Sequence, residues 1–269
     1  LIPALPLAGF VLLLFFGTGA CGLVYQQLWV RQLSLVFGVT VYAVSTVLAS
    51  FFAGLALGSF VAGRFVDRAR RPLQWYGIVE ILVGVAALGT TTALAGVERV
   101  YVGTTGFLPD SVGLLTVVRF VLSFTVLLVP ATLMGASLPI VVRSALVRSG
   151  RLGERVSLLY ATNTAGAIAG TLLAGFWLIG ERGLTFSFRL AAGVNIAIGL
   201  VAMLGSRLWE TQPAEKDEPA SGGRDSSRSE PVLPVRSRRA VLGVFIISGF
   251  VSLGLEVIWF RVLLLYLAS

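Results

Sequence analysis

Glu80 stands inside the apolar run Gly77-Ile-Val-Glu80-Ile-Leu-Val-Gly84. A carboxylate in such surroundings can carry a proton or bind a cation, and ionisable groups in lipid are functional candidates by default. Its structural alternative is a pairing with Arg119 that only orients two helices, and both readings stand. Arg119 lies near one end of its own apolar run, where snorkelling to the interface is the leading role and solute contact the second. Asn163 sits between Thr162 and Thr164. Interhelical hydrogen bonding is the commoner use of such groups, and lining a solute path comes next. Glu256 is a second acid in an apolar run. Trp29 with Arg31, and Trp259 with Arg261, fit an aromatic belt with snorkelling cations, and Arg189 fits the interface. The chain has no His and one Cys, Cys21. Every His-based triad, metal site and proton relay is excluded, as are an intrachain disulfide and a cysteine zinc cluster. Cys21 reads as a packing residue. No metal and no cofactor is expected.

The elements that hold these residues follow from composition. Of 269 residues 56% are hydrophobic and 13% charged, with mean hydropathy +0.90. A soluble domain carries roughly 25% charged residues, so this chain is neither an ordinary soluble protein nor a disordered one. A spanning helix needs about 20 apolar residues. Seven runs qualify: 7–30, 40–63, 73–96, 113–142, 157–180, 184–206 and 241–266. Barrel alternation is absent from them, so the fold class is all-α and integral to the membrane. The fourth run holds Pro130 and Pro139 and is expected to be tilted, kinked or broken. The apolar start, Leu5 to Phe16, lacks a basic region before it and is read as a span rather than a signal peptide.

The net charge of +8 is a topology signal. Three alternate connections hold 15 of the 21 Lys and Arg: those after the second, fourth and sixth runs. The others carry only Arg31, Arg99 and Arg182. By the positive-inside rule those three connections are cytoplasmic and the N-terminus is inside, as expected for a bacterial cytoplasmic membrane. Nucleic acid is not an expected partner, because that needs a basic face on a soluble domain.

Three segments are expected: a six-helix bundle over 1–206, a cytoplasmic linker over 207–240 rich in Pro, Ser, Gly and charge, and the first helix of a second unit over 241–269. A start at Leu1 and an end just after an apolar run read as part of a longer protein.

Two internal repeats organise the bundle. At an offset of 112, Gly54-Leu-Ala-Leu-Gly58-Ser-Phe-Val-Ala62-Gly63 matches Gly166-Ala-Ile-Ala-Gly170-Thr-Leu-Leu-Ala174-Gly175. Both runs place small residues at i, i+4 and i+8, a stripe that lets backbones approach in lipid. The same offset carries the first helix onto the fourth and the third onto the sixth, as an inverted 3+3 repeat. At an offset of 230, Gly19 to Arg31 matches Gly249 to Arg261, including Trp29 with Trp259 and Gln26 with Glu256. Inverted three-helix repeats nested in parallel halves are the plan of major facilitator transporters, whose solute site lies near the midplane.

Two resemblances follow. Gly63-Arg64-Phe-Val-Asp67-Arg68-Ala-Arg70-Arg71 resembles the major facilitator signature between the second and third helices. The resemblance implies that Gly63, Asp67, Arg68 and Arg71 belong to a gate loop. Leu-Val-Tyr25-Gln-Gln-Leu-Trp29-Val-Arg31, Pro130-Ala-Thr-Leu-Met-Gly135-Ala-Ser-Leu-Pro139 and Leu159-Tyr160-Ala-Thr-Asn163-Thr-Ala-Gly166 resemble the membrane part of fused transporter-like/spermidine synthase proteins. That resemblance implies a polyamine aminopropyltransferase domain following the membrane module. No Gly-rich nucleotide loop after a strand appears, so no residue is assigned to aminopropyl transfer. The family usually has Glu where Gln26 stands, and Glu256 keeps the acid at the repeat-related position.

Two function classes therefore stand: a module that moves or channels a small cationic solute such as a polyamine, with Glu80, Arg119, Asn163 and Glu256 as substrate or coupling residues, and a membrane anchor of an aminopropyltransferase with no transport of its own. The expected partners are the lipid bilayer, that solute and a C-terminal synthase domain of the same chain.

Overall fold

A computed structural model describes residues 4–38, 40–66, 69–104, 112–144, 152–209 and 235–267. Among them the regular elements are all helical: α1 Ala4–Phe37, α2 Thr40–Phe65, α3 Pro72–Thr104, α4 Val112–Arg143, α5 Leu152–Leu173, α6 Gly183–Trp209 and α7 Val235–Leu267. A π-helical segment, Ala174–Arg182, joins α5 to α6. The seven expected spans are all present. Most are longer than expected, because the apolar run marks the hydrocarbon crossing while the helical backbone continues beyond it.

Six stretches are long and apolar enough to cross a membrane, one of them Gly153–Leu208 with 56 residues. As one straight helix it would reach about 84 Å, far beyond a bilayer core of about 30 Å. It is two helices. Gly183 has φ +76°, a left-handed value that favours glycine. The Ser187 hydroxyl donates to the carbonyl of Leu178, nine residues back, at 3.1 Å. In a continuous helix those residues would be about 13 Å apart, so the chain folds back at Gly183. The π segment replaces the α-helix expected through residue 180.

The start of α3 has a local cause. Pro72 occupies the first helical position, where its missing N–H costs nothing. The Arg71 carbonyl accepts the first bond from Trp75 N at 3.2 Å.

Within residues 1–211, which form one compact unit, α2 packs most extensively on α4, α3 on α6 and α1 on α5. These are the contacts the offset of 112 requires, since it exchanges α1 with α4, α2 with α5 and α3 with α6. The correspondence holds residue by residue. A Cβ on Gly58 would meet the Thr132 carbonyl, and one on Gly170 would meet the Ala20 carbonyl. Adding 112 to 58 and to 20 gives 170 and 132. On the α3–α6 seam, a Cβ on Gly84 would lie 3.0 Å from Cγ1 of Ile196, its own repeat mate. The pseudo-two-fold relation therefore passes near that pair.

α4 runs unbroken through Pro130 and Pro139, so of the expected tilt, kink or break the break does not occur. Pro139 lacks the N–H that would bond the Gly135 carbonyl four residues back. The hydroxyl of Ser59, on α2, donates to that carbonyl at 2.8 Å. A neighbouring helix thus satisfies the backbone group that proline frees, as lipid requires.

Residues 212–269 form a second unit, of which α7 is described. It begins at Val235, so residues 235–240 of the expected linker are helical. Residues 210–234 of that linker lie outside the described ones.

Candidate functional site

Glu80 is completely buried on α3. Its Oε1 accepts from the Ser137 hydroxyl of α4 at 2.8 Å, and its Oε2 accepts from Nδ2 of Asn195 on α6 at 2.6 Å. The Thr18 hydroxyl of α1 and the Tyr76 hydroxyl of α3 bond one another at 2.6 Å. Three helices thus meet at the acid, and its hydrogen-bond partners are neutral. The expected pairing of Glu80 with Arg119 is corrected. Ser137, which touches Glu80, lies 18 residues beyond Arg119 on the same helix, about 27 Å at 1.5 Å per residue. Arg119 is half-buried at the far end of α4.

Beside the acid, α1, α2, α4 and α5 line a half-open cavity of about 240 Å³. It occupies the seam between the α1–α5 and α2–α4 pairs. Thr18, Ser59, Ser137, Tyr160 and Asn163 supply its polar lining, and Phe15, Phe51 and Met134 part of its apolar lining. Ser137 therefore has two neighbours, the cavity on one side and Glu80 on the other. Glu80 is not part of the lining. Asn163 lies at the cavity, where its backbone carbonyl is so close to Gly19 that a Cβ there would collide with it. A volume below the ~300–1,000 Å³ of drug-sized pockets suits a small solute.

An aromatic wall stands on the other side of α1. Tyr25 stacks on Trp29 at 5.7 Å and on Phe188 at 6.5 Å. Trp29 is fully buried and donates its indole N–H to the Thr90 hydroxyl at 2.9 Å. That corrects its expected place in an interfacial belt: the face of α1 that carries it points into the bundle. Cys21 is buried and its thiol approaches the Ala191 carbonyl at 3.6 Å, consistent with a packing role. Arg189 is exposed, at the edge of a cleft with Gln32 and Thr185.

Of the gate-loop residues, Gly63 and Arg71 are exposed at the end of α2 and before α3, while Asp67 and Arg68 lie outside the described residues. The Arg64 guanidinium stacks over the Phe60 ring at 3.8 Å. Glu256 is exposed on α7, in the second unit.

Reading the sequence alone singled out Glu80 and Asn163 and missed Thr18, Tyr76, Ser137 and Asn195. A polar side chain on each of the helices facing a lone buried acid was the available signal.

The architecture defines a multi-pass membrane protein of transporter type, with a small cavity and a buried acid behind its wall. The Major Facilitator Superfamily model matches residues 6–268, and the chain belongs to that family. Over 207 residues it is 29% identical to a curated relative named polyamine aminopropyltransferase 2, from Streptomyces coelicolor. The match covers 76% of this chain and 36% of the relative, so the chain spans about a third of that relative's length. Both findings agree with a fused transporter-like/spermidine synthase protein. No solved structure matches.

Proposed function

We propose that this chain is the membrane module of a fused transporter-like/spermidine synthase protein, and that it moves or channels a small cationic solute of the polyamine class. One observation carries the reading: Glu80, completely buried, stands behind a 240 Å³ cavity and touches its lining through Ser137. A buried carboxylate held by neutral partners leaves a negative charge for a cation to complement. Asn163 serves as a lining residue. Arg119 and Glu256 serve in coupling, outside the described cavity. Gly63, Asp67, Arg68 and Arg71 form the gate loop on the cytoplasmic side, with the N-terminus inside a bacterial cytoplasmic membrane. The segment between α6 and α7 tethers the bundle to a second unit, and a synthase domain follows in the same chain.

A second reading, a membrane anchor for an aminopropyltransferase with no transport of its own, draws on the name of the Streptomyces relative. Equilibrium binding of labelled putrescine to the purified full-length protein separates the two. The transport reading expects saturable binding that Glu80→Gln weakens. Absence of saturable binding, together with aminopropyl transfer by the soluble part, favours the anchor.

A further inference from the structure

We propose that Glu80, in its ionised form, is a positioning residue that acts through Ser137, making that part of the cavity wall accept hydrogen bonds without donating them, so that it selects an ammonium over an alcohol of the same shape. The inference rests on the reading of the cavity as a solute site and names what sets its chemical preference.

The argument is a count of hydrogens. An ionised carboxylate only accepts. Ser137 has one hydroxyl hydrogen and directs it to Oε1 of Glu80 at 2.8 Å. Its lone pairs are what remains for the cavity it lines. Asn195 takes up Oε2, so the acid has its partners without touching solute. An ammonium brings hydrogens to such a wall, and a carboxylate brings only lone pairs. An alcohol can donate but lacks the charge that strengthens the bond.

Glu80→Gln preserves shape and reverses part of this order. The glutamine amide brings two hydrogens of its own. When they face Ser137, its hydroxyl turns its hydrogen into the cavity.

The test is competition binding to the purified full-length protein, with 1,4-diaminobutane and 1,4-butanediol as probes. Wild type is compared with Glu80→Gln, Ser137→Ala, the Glu80→Gln/Ser137→Ala pair and Ser137→Thr. Glu80→Gln and Ser137→Ala are each expected to lower diamine affinity about 10-fold and leave the diol within about 2-fold. In the Ser137→Ala background, Glu80→Gln is expected to cost less than about 2-fold, because the residue through which it acts is gone. Ser137→Thr, which keeps the hydroxyl, is expected to bind within about 2-fold of wild type. The same 10-fold cost of Glu80→Gln in the Ser137→Ala background overturns the proposal, as does a diol that binds wild type as tightly as the diamine. Diamine binding with additive losses refutes this relay and spares the solute reading. A folded wild type that binds no diamine refutes both. If Ser137→Ala does not fold, Glu80→Gln alone decides: a diamine-to-diol affinity ratio equal to that of wild type overturns the proposal.

Discussion

Asn195 of α6 donates its amide hydrogen to Oε2 of Glu80 on α3 at 2.6 Å, within a seam otherwise closed by Gly77, Gly84 and Gly199. Small residues bring the two backbones together, and the polar pair fixes their register. A buried acid tolerates that position because each carboxylate oxygen has a donor.

Removing the acid should expose that dependence. Glu80→Ala leaves the Asn195 amide and the Ser137 hydroxyl without their acceptor, and is expected to destabilise by about 1–3 kcal/mol. Glu80→Gln retains an acceptor and should cost less. Melting temperatures of the purified protein in detergent order the variants. Equal costs for both would mean that the acid contributes volume and not hydrogen bonding.

The repeat makes a paired prediction. Gly58→Ala and Gly170→Ala each push a methyl group into a facing backbone carbonyl, Thr132 in one case and Ala20 in the other. Both should destabilise by about 1–3 kcal/mol. Gly63→Ala, with open space around it, should change stability by less than about 0.5 kcal/mol. Comparable melting of all three would deny the close helix approach.

Ser59 and Pro139 should be coupled. Ser59→Ala strands the Gly135 carbonyl and should cost about 1–2 kcal/mol. Pro139→Ala supplies a backbone N–H for the same carbonyl, so Ser59→Ala should cost less in that background. A double-mutant cycle on melting reads the difference, and strict additivity would contradict the assignment.

Trp29→Phe removes the bond to Thr90 and should cost about 1 kcal/mol or more beyond the loss of ring volume. Adding Thr90→Val should restore part of it, since both polar partners are then gone. No recovery would place the indole N–H elsewhere.

The extent to which the sequence was legible follows from which property each residue expresses. Spans follow from apolar runs, and all seven exist. Glu80 was visible because a lone acid in such a run is costly wherever it faces. The stripes at Gly54–Gly58 and Gly166–Gly170 were visible as spacing. Their partner helices were not, because close approach depends on the facing surface as well. Ser137 and Asn195 were hidden because hydroxyls and amides in membrane helices commonly bond their own backbone, as Thr132 does with Leu128. Only tertiary register brings them to Glu80. Trp29 was misplaced for a related reason: belt or core depends on the rotation of α1, which the single apolar run does not fix. The turn at Gly183 and the π segment before it left no mark in hydropathy.

The central claim, that the cavity beside Glu80 passes a small cation, is tested most directly by counterflow of labelled putrescine in proteoliposomes containing the full-length protein. Accumulation above protein-free vesicles, reduced about 10-fold or more by Glu80→Gln, is the predicted result. Wild-type protein that is folded and inserted yet accumulates no putrescine, spermidine or other polyamine would contradict it.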